Sequence, residues 1–471
     1  MSIENTHYGA KKINDLLKDK KSIYFIGVGG INMSSLALIT SMSGYRTGGS
    51  DRVRSALTEK IEAAGVKVNY NHNAENVEGY DAIVYTVAIS ADNPEYVRAG
   101  ELGLPRISRA DYLGYIMTGY TRRIGISGMH GKSTCTSMCA EMLLYNKKEP
   151  TVLSGAELKS VDSAYYIGGK DDFVFEACEY MDSFLDFNPN IAVVLNIEMD
   201  HVDYFKSMEQ IRDSFGHFMA IAGKDGVAVI NADDEDVLKA ADGYDGRVLS
   251  FGIENEKASL RAENIRCEKG RYSFDAVLDG SLLTRISLSV SGYHNIYNAL
   301  AATAVGTLCS LEPAEISEGL ASFVGVSRRM DFKGKYKGAD IYDDYGHHPT
   351  EIKATLAGAR AMTDGKLVCV YQPHTYSRTA ALFDEFAEAF GDCDRVIFAP
   401  IYAAREINES GVSSAQIAEK IGDKATSASD FADAANKLCE CLSEGDIGIV
   451  MGAGDIYKAF DYIDFDKKEC K

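Results

Sequence analysis

The residues most suited to chemistry lie in one glycine-rich stretch, Gly125-Ile-Ser-Gly128-Met-His130-Gly131-Lys132-Ser133-Thr134. It follows an apolar run and opens a segment of helical pattern. In that setting backbone N–H groups and a helix N-terminus face phosphate oxygens. Lys132 is long enough to reach β- and γ-phosphates, and the Ser133 hydroxyl is a ligand for Mg²⁺. The spacing is the shorter G-x-x-G-K-S-T, because Ile126 stands where the commoner form has its first glycine. A nucleotide-bound Mg²⁺ also takes one or two carboxylates. Two acidic segments supply candidates: Glu176 to Glu179 directly after Phe173-Val-Phe175, and Asn196-Ile-Glu198-Met-Asp200-His201, running on to Asp203, after Ile191–Leu195. Both follow strand-like runs, and open α/β sheets bind ligands at carboxyl strand ends.

A second loop, Gly27-Val-Gly29-Gly30-Ile-Asn32, also stands between a strand-like and a helix-like run, with Ser50-Asp51 about 20 residues on. It reads either as a nicotinamide-dinucleotide site or as a cradle for the pyrophosphate of a UDP-sugar. Asn32 in place of the third glycine disfavours the tight dinucleotide turn, but the motif alone leaves both readings open. A dehydrogenase would leave Lys132 and Glu176 without a role, and would be recognised by a nicotinamide absorbance change.

The elements that must position these loops are short apolar runs alternating with helices: strands at 23–27, 82–87, 123–127, 191–197, 227–230, 367–371, 395–399 and 447–451, and helices at 33–43, 133–145 and 298–308. Continuous rather than alternating hydrophobicity fits strands covered on both faces, hence parallel sheets. Residues 260–290 instead alternate, with Gly270 and Gly280 as turn signals, and predict antiparallel hairpins. The fold class expected is α/β in three domains. Boundaries near residues 120 and 325 divide the chain into residues 1–120, residues 121–325 with the hairpin region, and residues 326–471; the family resemblance set out below implies that these are a Rossmann-like UDP-binding domain, a central P-loop ATPase-like domain and a C-terminal Rossmann-like domain that closes over amino acid and ATP.

With 49 Lys and Arg against 69 Asp and Glu, the formal charge of −20 argues against nucleic acid or anionic lipid as partner. No run reaches the ~18 apolar residues of a membrane span. The polar, Lys-rich start and 10 cysteines without a CxxC pair predict free thiols and a cytoplasmic location.

Taken together the motifs resemble the Mur ligase family along nearly the whole chain. The resemblance rests on Gly27–Met33, Ser50-Asp51, Gly128–Thr134, Glu176 to Glu179, Asn196–His201, Ser291-Gly-Tyr-His294-Asn295 with Asn298, Gly325 to Arg329, Asp343-Asp344-Tyr345-Gly-His347-His348-Pro349, and Gln372-Pro-His374 to Arg378-Thr379. The paired histidines and the Gln-Pro-His segment are similar to the alanine-adding branch. The resemblance implies ligation of L-alanine to UDP-N-acetylmuramate with ATP and Mg²⁺ as cofactors, through an acyl phosphate. It implies ATP contacts from Gly128, His130, Gly131, Lys132, Ser133, Thr134, His294, Asn295, Arg329 and Asp344, with Lys132, His201 and Arg329 catalytic. Metal would be held by Ser133 and Glu176, and by His201 at a second ion. The UDP-sugar would meet Gly27, Gly29, Gly30, Ser50, Asp51, His72 and Thr86. Tyr345, His347, His348, His374 and Arg378 would gather alanine and the muramoyl group. Asn32, Cys178 and Thr375 depart from the family pattern, and no counterpart of a carbamoylated lysine is evident after His201, Lys206 notwithstanding. A recycling ligase that attaches a preformed tripeptide to the same sugar is the near alternative. A non-catalytic UDP-sugar sensor would have no need of Lys132, Glu176 and His201. Because the implied ligands come from all three domains, closure on ATP and UDP-sugar is expected.

Overall fold

Residues 3–201, 204–404 and 406–466 are described by the computed structural model, and Asp203 of the second acidic segment lies outside them. Five strands, β1 (Ser22–Ile26), β2 (Arg46–Ser50), β3 (Lys67–Asn69), β4 (Ala82–Tyr85) and β5 (Arg106–Ser108), form a parallel sheet ordered β3-β2-β1-β4-β5. Every residue of β1 is buried, Ile23 and Phe25 into one apolar cluster and Tyr24 and Ile26 into another. This is why the run shows no alternation in sequence.

The central strands are β6 (Arg122–Ser127), β7 (Thr151–Leu158), β8 (Ser163–Tyr166), β9 (Asp172–Glu176), β10 (Ile191–Val194), β11 (Val227–Asn231) and β12 (Arg247–Gly252), ordered β12-β11-β10-β6-β9-β7-β8. β6 lies parallel to both β9 and β10, with Ile126 opposite Glu176 and Ser127 opposite Val194. The expected antiparallel region is present as the meander β13 (Leu260–Glu268), β14 (Arg271–Leu278) and β15 (Ser281–Ser291). The last sheet comprises β16 (Asp331–Tyr336), β17 (Ala339–Asp344), β18 (Leu367–Tyr371), β19 (Arg395–Phe398), β20 (Ala425–Ser427) and β21 (Ile447–Met451), ordered β16-β17-β21-β18-β19-β20 and parallel except for β16. In β18 alternate residues feed two cores: Leu367, Cys369 and Tyr371 on one face, Val368 and Val370 on the other.

The mixed α/β fold in three domains holds, but the chain gathers into two compact units. One comprises Met1–Glu157, Val161–Ala258 and Ala301–Leu311, and the other Leu158–Ser160, Ser259–Leu300 and Glu312–Lys471. The first and central sheets therefore share a unit. Within it the helix Arg109–Met117 lies against the 3₁₀ segment Tyr180–Asp186. Asp111 on that helix accepts from the Thr6 hydroxyl (2.7 Å) and the Tyr8 (2.6 Å) and Gly9 (3.0 Å) amides, anchoring the N-terminal segment. Phe184 from the 3₁₀ segment stacks on Phe218 at 4.7 Å between ring centres. The nine described cysteines are free thiols, and among the described residues no helix is long and apolar enough to cross a membrane.

The helix approaches the 3₁₀ segment so closely at Gly114 that a Cβ there would overlap the Asp186 carbonyl oxygen, which is backbone and cannot swing away. Gly114→Ala should lower stability by about 1–3 kcal/mol, read as a lower urea midpoint. A wild-type unfolding curve would contradict this packing.

Candidate active site

In the first loop, Gly27 takes φ +85° after β1, and a Cβ there would lie 2.6 Å from the Thr86 methyl; a Cβ on Gly29 would lie 2.7 Å from Asp51 Oδ2. Gly30 caps the helix Ile31–Met42, where a Cβ would make only ordinary contact, 3.7 Å from the Gly27 carbonyl oxygen. Asp51, one of the expected UDP-sugar contacts, is engaged by its own loops. Its Oδ2 accepts the Gly29 amide (2.9 Å), and its Oδ1 accepts those of Arg52 (2.8 Å) and Val53 (3.2 Å). Ser50 is fully buried and His72 half-buried. Both bond to Glu95, a residue that no motif singles out.

The phosphate loop runs from the end of β6 to the helix Lys132–Tyr145. Gly128 and Gly131 have φ of +139° and +85°, and a Cβ on Gly128 would press on Leu195 and Asn196. Asn196, leaving the end of β10, clamps the loop. Its Oδ1 accepts the His130 amide (2.8 Å), its Nδ2 donates to the His130 carbonyl (2.9 Å), and its own carbonyl accepts the Met129 amide (3.2 Å). His130 Nε2 lies 3.0 Å from Glu198. The Lys132 ammonium folds back over the loop, donating to the carbonyls of Gly128 (2.6 Å) and Met129 (3.1 Å). Ser133 and Thr134 are half-buried at the helix start.

Glu179 joins the parts of the site. Its Oε1 accepts from Lys132 Nζ at 3.1 Å and lies 3.2 Å from His201 Nε2, while Oε2 stands 3.0 Å from the same ammonium. Burial alone would push this carboxyl up, but the Lys132 charge and the His201 hydrogen bond outweigh it and hold it below the ordinary carboxylate range. Burial likewise works against the Lys132 charge, and Glu179 overcomes it, so the ammonium is held well above its usual range. His201 is seated by the Tyr180 ring, 4.8 Å away, and takes φ +50°. Its carbonyl then accepts the amides of Tyr204 (2.8 Å) and Phe205 (2.9 Å). Asp182 accepts the Tyr204 hydroxyl at 2.6 Å and fixes the following turn. The sequence therefore brought Lys132, Glu176 and His201 into one place but missed the role of Glu179, which was visible only as part of an acidic segment.

The donors in this place suit a hard divalent cation. Glu176 ends β9 beside β6, with Oε2 accepting the Gly155 amide at 2.9 Å, and Gly155 lies so close to both carboxylate oxygens that a Cβ would stand 2.7 Å from Oε1. It and the Ser133 hydroxyl are oxygen donors of the kind such an ion takes, whereas His201 Nε2 lies against Glu179.

The second unit holds the remaining expected residues. Arg329 lies between two left-handed residues, Arg328 (φ +60°) and Met330 (φ +45°). Its guanidinium bonds Glu351 Oε1 at 3.2 Å and stands 5.4 Å over the Tyr345 ring. Asp344, expected at the ribose, is buried with Oδ2 on the Met330 amide and Oδ1 on the Gly346 amide, both 2.8 Å. Burial pushes its carboxyl up although Arg329 opposes this. His294 opens the helix His294–Leu308 with its side chain exposed, and the Arg329 charge works against its protonation. Asn295 Nδ2 donates to the Ser291 carbonyl (2.6 Å), and its Oδ1 accepts Asn298 Nδ2 (3.0 Å). Tyr345, His347, His374 and Arg378 do gather. The Tyr345 and His347 rings are 5.6 Å apart, His347 and His374 are 6.0 Å apart, and Arg378 Nη1 is 3.5 Å from His374 Nδ1. His374 stacks on Tyr402. His348 differs: it is buried and caps the helix Pro349–Arg360 through the Thr350 amide.

Asn196→Ala removes two side-chain bonds that shape the phosphate loop. At ~0.5–1.5 kcal/mol each, KM for ATP should rise about tenfold while binding of UDP is unchanged. An unaltered KM would show that the loop shapes itself.

Comparison with known proteins agrees with this geometry. The model described as "Mur ligase family, catalytic domain" matches residues 22–121, "Mur ligase middle domain" residues 126–306, and "Mur ligase, glutamate ligase domain" residues 328–454. The UDP-N-acetylmuramate–L-alanine ligase of Clostridium botulinum is 42% identical over 449 residues, 94% of this chain and 98% of that protein. The crystal structure of the UDP-N-acetylmuramate-alanine ligase of Thermotoga maritima is similar with a TM-score of 0.76 and 26% identity, covering 94% of this chain and 98% of that one. The UDP-N-acetylmuramate:L-alanyl-gamma-D-glutamyl-meso-diaminopimelate ligase of Neisseria meningitides matches at 27% identity and a TM-score of 0.59 over 66% of this chain and all of its own. With three consecutive domain matches over more than half its length and a relative this similar end to end, the chain belongs to the Mur ligase family.

Proposed function

We propose that the chain joins L-alanine to the carboxylate of UDP-N-acetylmuramate with ATP, the first peptide-adding step of peptidoglycan precursor synthesis, in the cytoplasm where both nucleotides are made. The observation that carries this reading is the Lys132–Glu179–His201 cluster at adjoining strand ends in a chain 42% identical to an L-alanine ligase. A carboxylate is a poor electrophile, so it must first be activated. One carboxylate oxygen attacks the γ-phosphorus, the bond to the β-phosphate oxygen breaks, and ADP leaves. The alanine amine then attacks the acyl carbon, the tetrahedral adduct expels phosphate, and the nitrogen loses a proton.

Such phosphoryl transfer depends on positioning and charge more than on covalent help from the protein. In this reading the loop amides of Gly128 to Thr134 cradle the phosphates and Lys132 neutralises the γ-phosphoryl oxygens. Ser133 and Glu176 hold Mg²⁺, with His201 at a second ion; the metal supplies charge compensation for the transferring group. Glu179 keeps Lys132 and His201 aimed at the same point. Gly27, Gly29 and Gly30 receive the pyrophosphate of the sugar nucleotide, with Thr86 beside it and His72 toward the uridine end. His294 and Asn295 face the ATP base and ribose, and Arg329 adds a cation toward the phosphates. Tyr345, His347, His374 and Arg378 collect the alanine carboxylate and the muramoyl group.

The recycling reading finds support in the similarity to the Neisseria ligase, but that similarity is the lower in identity and in coverage of this chain. A phosphate-release assay with ATP, Mg²⁺ and UDP-N-acetylmuramate should show turnover with L-alanine well above that with glycine, L-serine or the tripeptide, and none after chelation of the metal. Preference for the tripeptide would replace this reading with the recycling one.

A further inference from the structure

Glu95 lies in the helix Pro94–Glu101, whose N-terminus is capped by Asn93, and its side chain is fully buried. A lone buried carboxylate is costly, so it must be surrounded by donors. Four converge on it. Oε1 accepts the Tyr24 hydroxyl (3.1 Å) and Asn76 Nδ2 (2.7 Å), and Oε2 accepts the Ser50 hydroxyl (2.6 Å) and His72 Nδ1 (2.7 Å). Asn69 Nδ2 in turn donates to the Tyr24 oxygen at 3.0 Å, which leaves the phenol proton for Glu95. Burial first, and then the Glu95 charge, push the Tyr24 phenol far up, so it stays a donor.

The consequence falls on His72. A carboxylate only accepts, so the 2.7 Å contact requires the proton on Nδ1. Nε2 bonds to nothing among the described residues and is not among their buried unpartnered atoms, in a side chain 14% exposed. His72 follows β3, while the glycine loop follows β1, with β2 between them. Ser50, the last residue of β2, touches both Glu95 and the imidazole. At ~4.8 Å per strand, a ligand whose pyrophosphate rests on the glycine loop presents its nucleoside, not its phosphates, to this histidine.

We propose that Glu95 is a positioning residue for the nucleotide-sugar site, a buried acceptor that fixes Nδ1 as the proton-bearing nitrogen of His72 and turns Nε2 toward the uridine end of a UDP-sugar. The proposal rests on the reading of His72 as a UDP contact. It explains why a carboxylate of the helix Pro94–Glu101 is buried against Tyr24 of β1 and Ser50 of β2.

The test uses the full chain with UDP alone as the calorimetric probe. Losing one oriented hydrogen bond should weaken UDP binding about tenfold in His72→Ala and in Glu95→Gln, and the double variant should bind no more weakly than His72→Ala. In turnover, Glu95→Gln should raise KM for UDP-N-acetylmuramate and leave kcat and KM for ATP unchanged. Nitrogen NMR of His72 should show protonated Nδ1 in the wild type and a shift toward protonated Nε2 in Glu95→Gln. Tyr24→Phe, which removes a different bond to the same carboxylate, should bind UDP normally. Wild-type UDP binding by His72→Ala overturns the reading of His72, and the proposal with it. Weak binding by His72→Ala with normal binding by Glu95→Gln overturns the role of Glu95 alone. Additive losses in the double variant, or equal weakening by Tyr24→Phe, make Glu95 a structural support only.

Discussion

The Glu179 carboxylate is buried to 1% exposure between an ammonium and an imidazole, and the geometry of the first unit's site follows from that constraint. A carboxylate so placed is stable only while its partners are held to it. Lys132 must therefore lean from the phosphate loop toward β9, and His201 must turn back from beyond β10. The left-handed backbone at Met181, Asp182 and His201 belongs to the same arrangement: the chain adopts sparsely populated conformations where charge and packing over-determine them. Asp182, tied to Tyr204, and Asn196, tied to the phosphate loop, secure the two flanks.

The second unit solves a similar problem with different residues. Its loop of 325–330 is tied to the end of β17 by Asp344 and by the bond from the Tyr345 amide to the Arg328 carbonyl, 2.7 Å. Arg328 Nη2 reaches the Gly452 carbonyl at 2.6 Å beyond β21. Arg329 is thereby held in place, with Glu351 as its counter-charge. In both units a carboxylate at a strand end spends itself on organising the loop that carries the cation, so the cation is preorganised rather than free to wander.

Much of this was legible in the sequence. Fully buried strands such as Leu367–Tyr371 and Ile447–Met451 read correctly because both faces are covered and every residue is apolar. The run 191–197 was read too long: Leu195 and Ile197 are buried, yet the chain leaves the sheet after Val194 so that Asn196 can reach the loop. The helix expected from residue 298 starts at His294, because polar residues in its first turn resemble loop. Lys132, Glu176 and His201 were found by type and position. At Asp51 and Asp344 type and spacing did not show the backbone amides that each carboxylate accepts, because Gly29 and Met330 reach them only once the chain has folded. Glu95 left no signal, because its partners come from four separate segments that only folding assembles.

The most direct measurement is single-turnover ligation by Glu179→Gln, a change that keeps shape and removes charge. Glu179 aligns Lys132 and His201, so the rate should fall by at least ~100-fold with the thermal midpoint and UDP binding near wild type. A wild-type rate would contradict the account, because Lys132 and His201 would then be placed without the carboxylate that joins them.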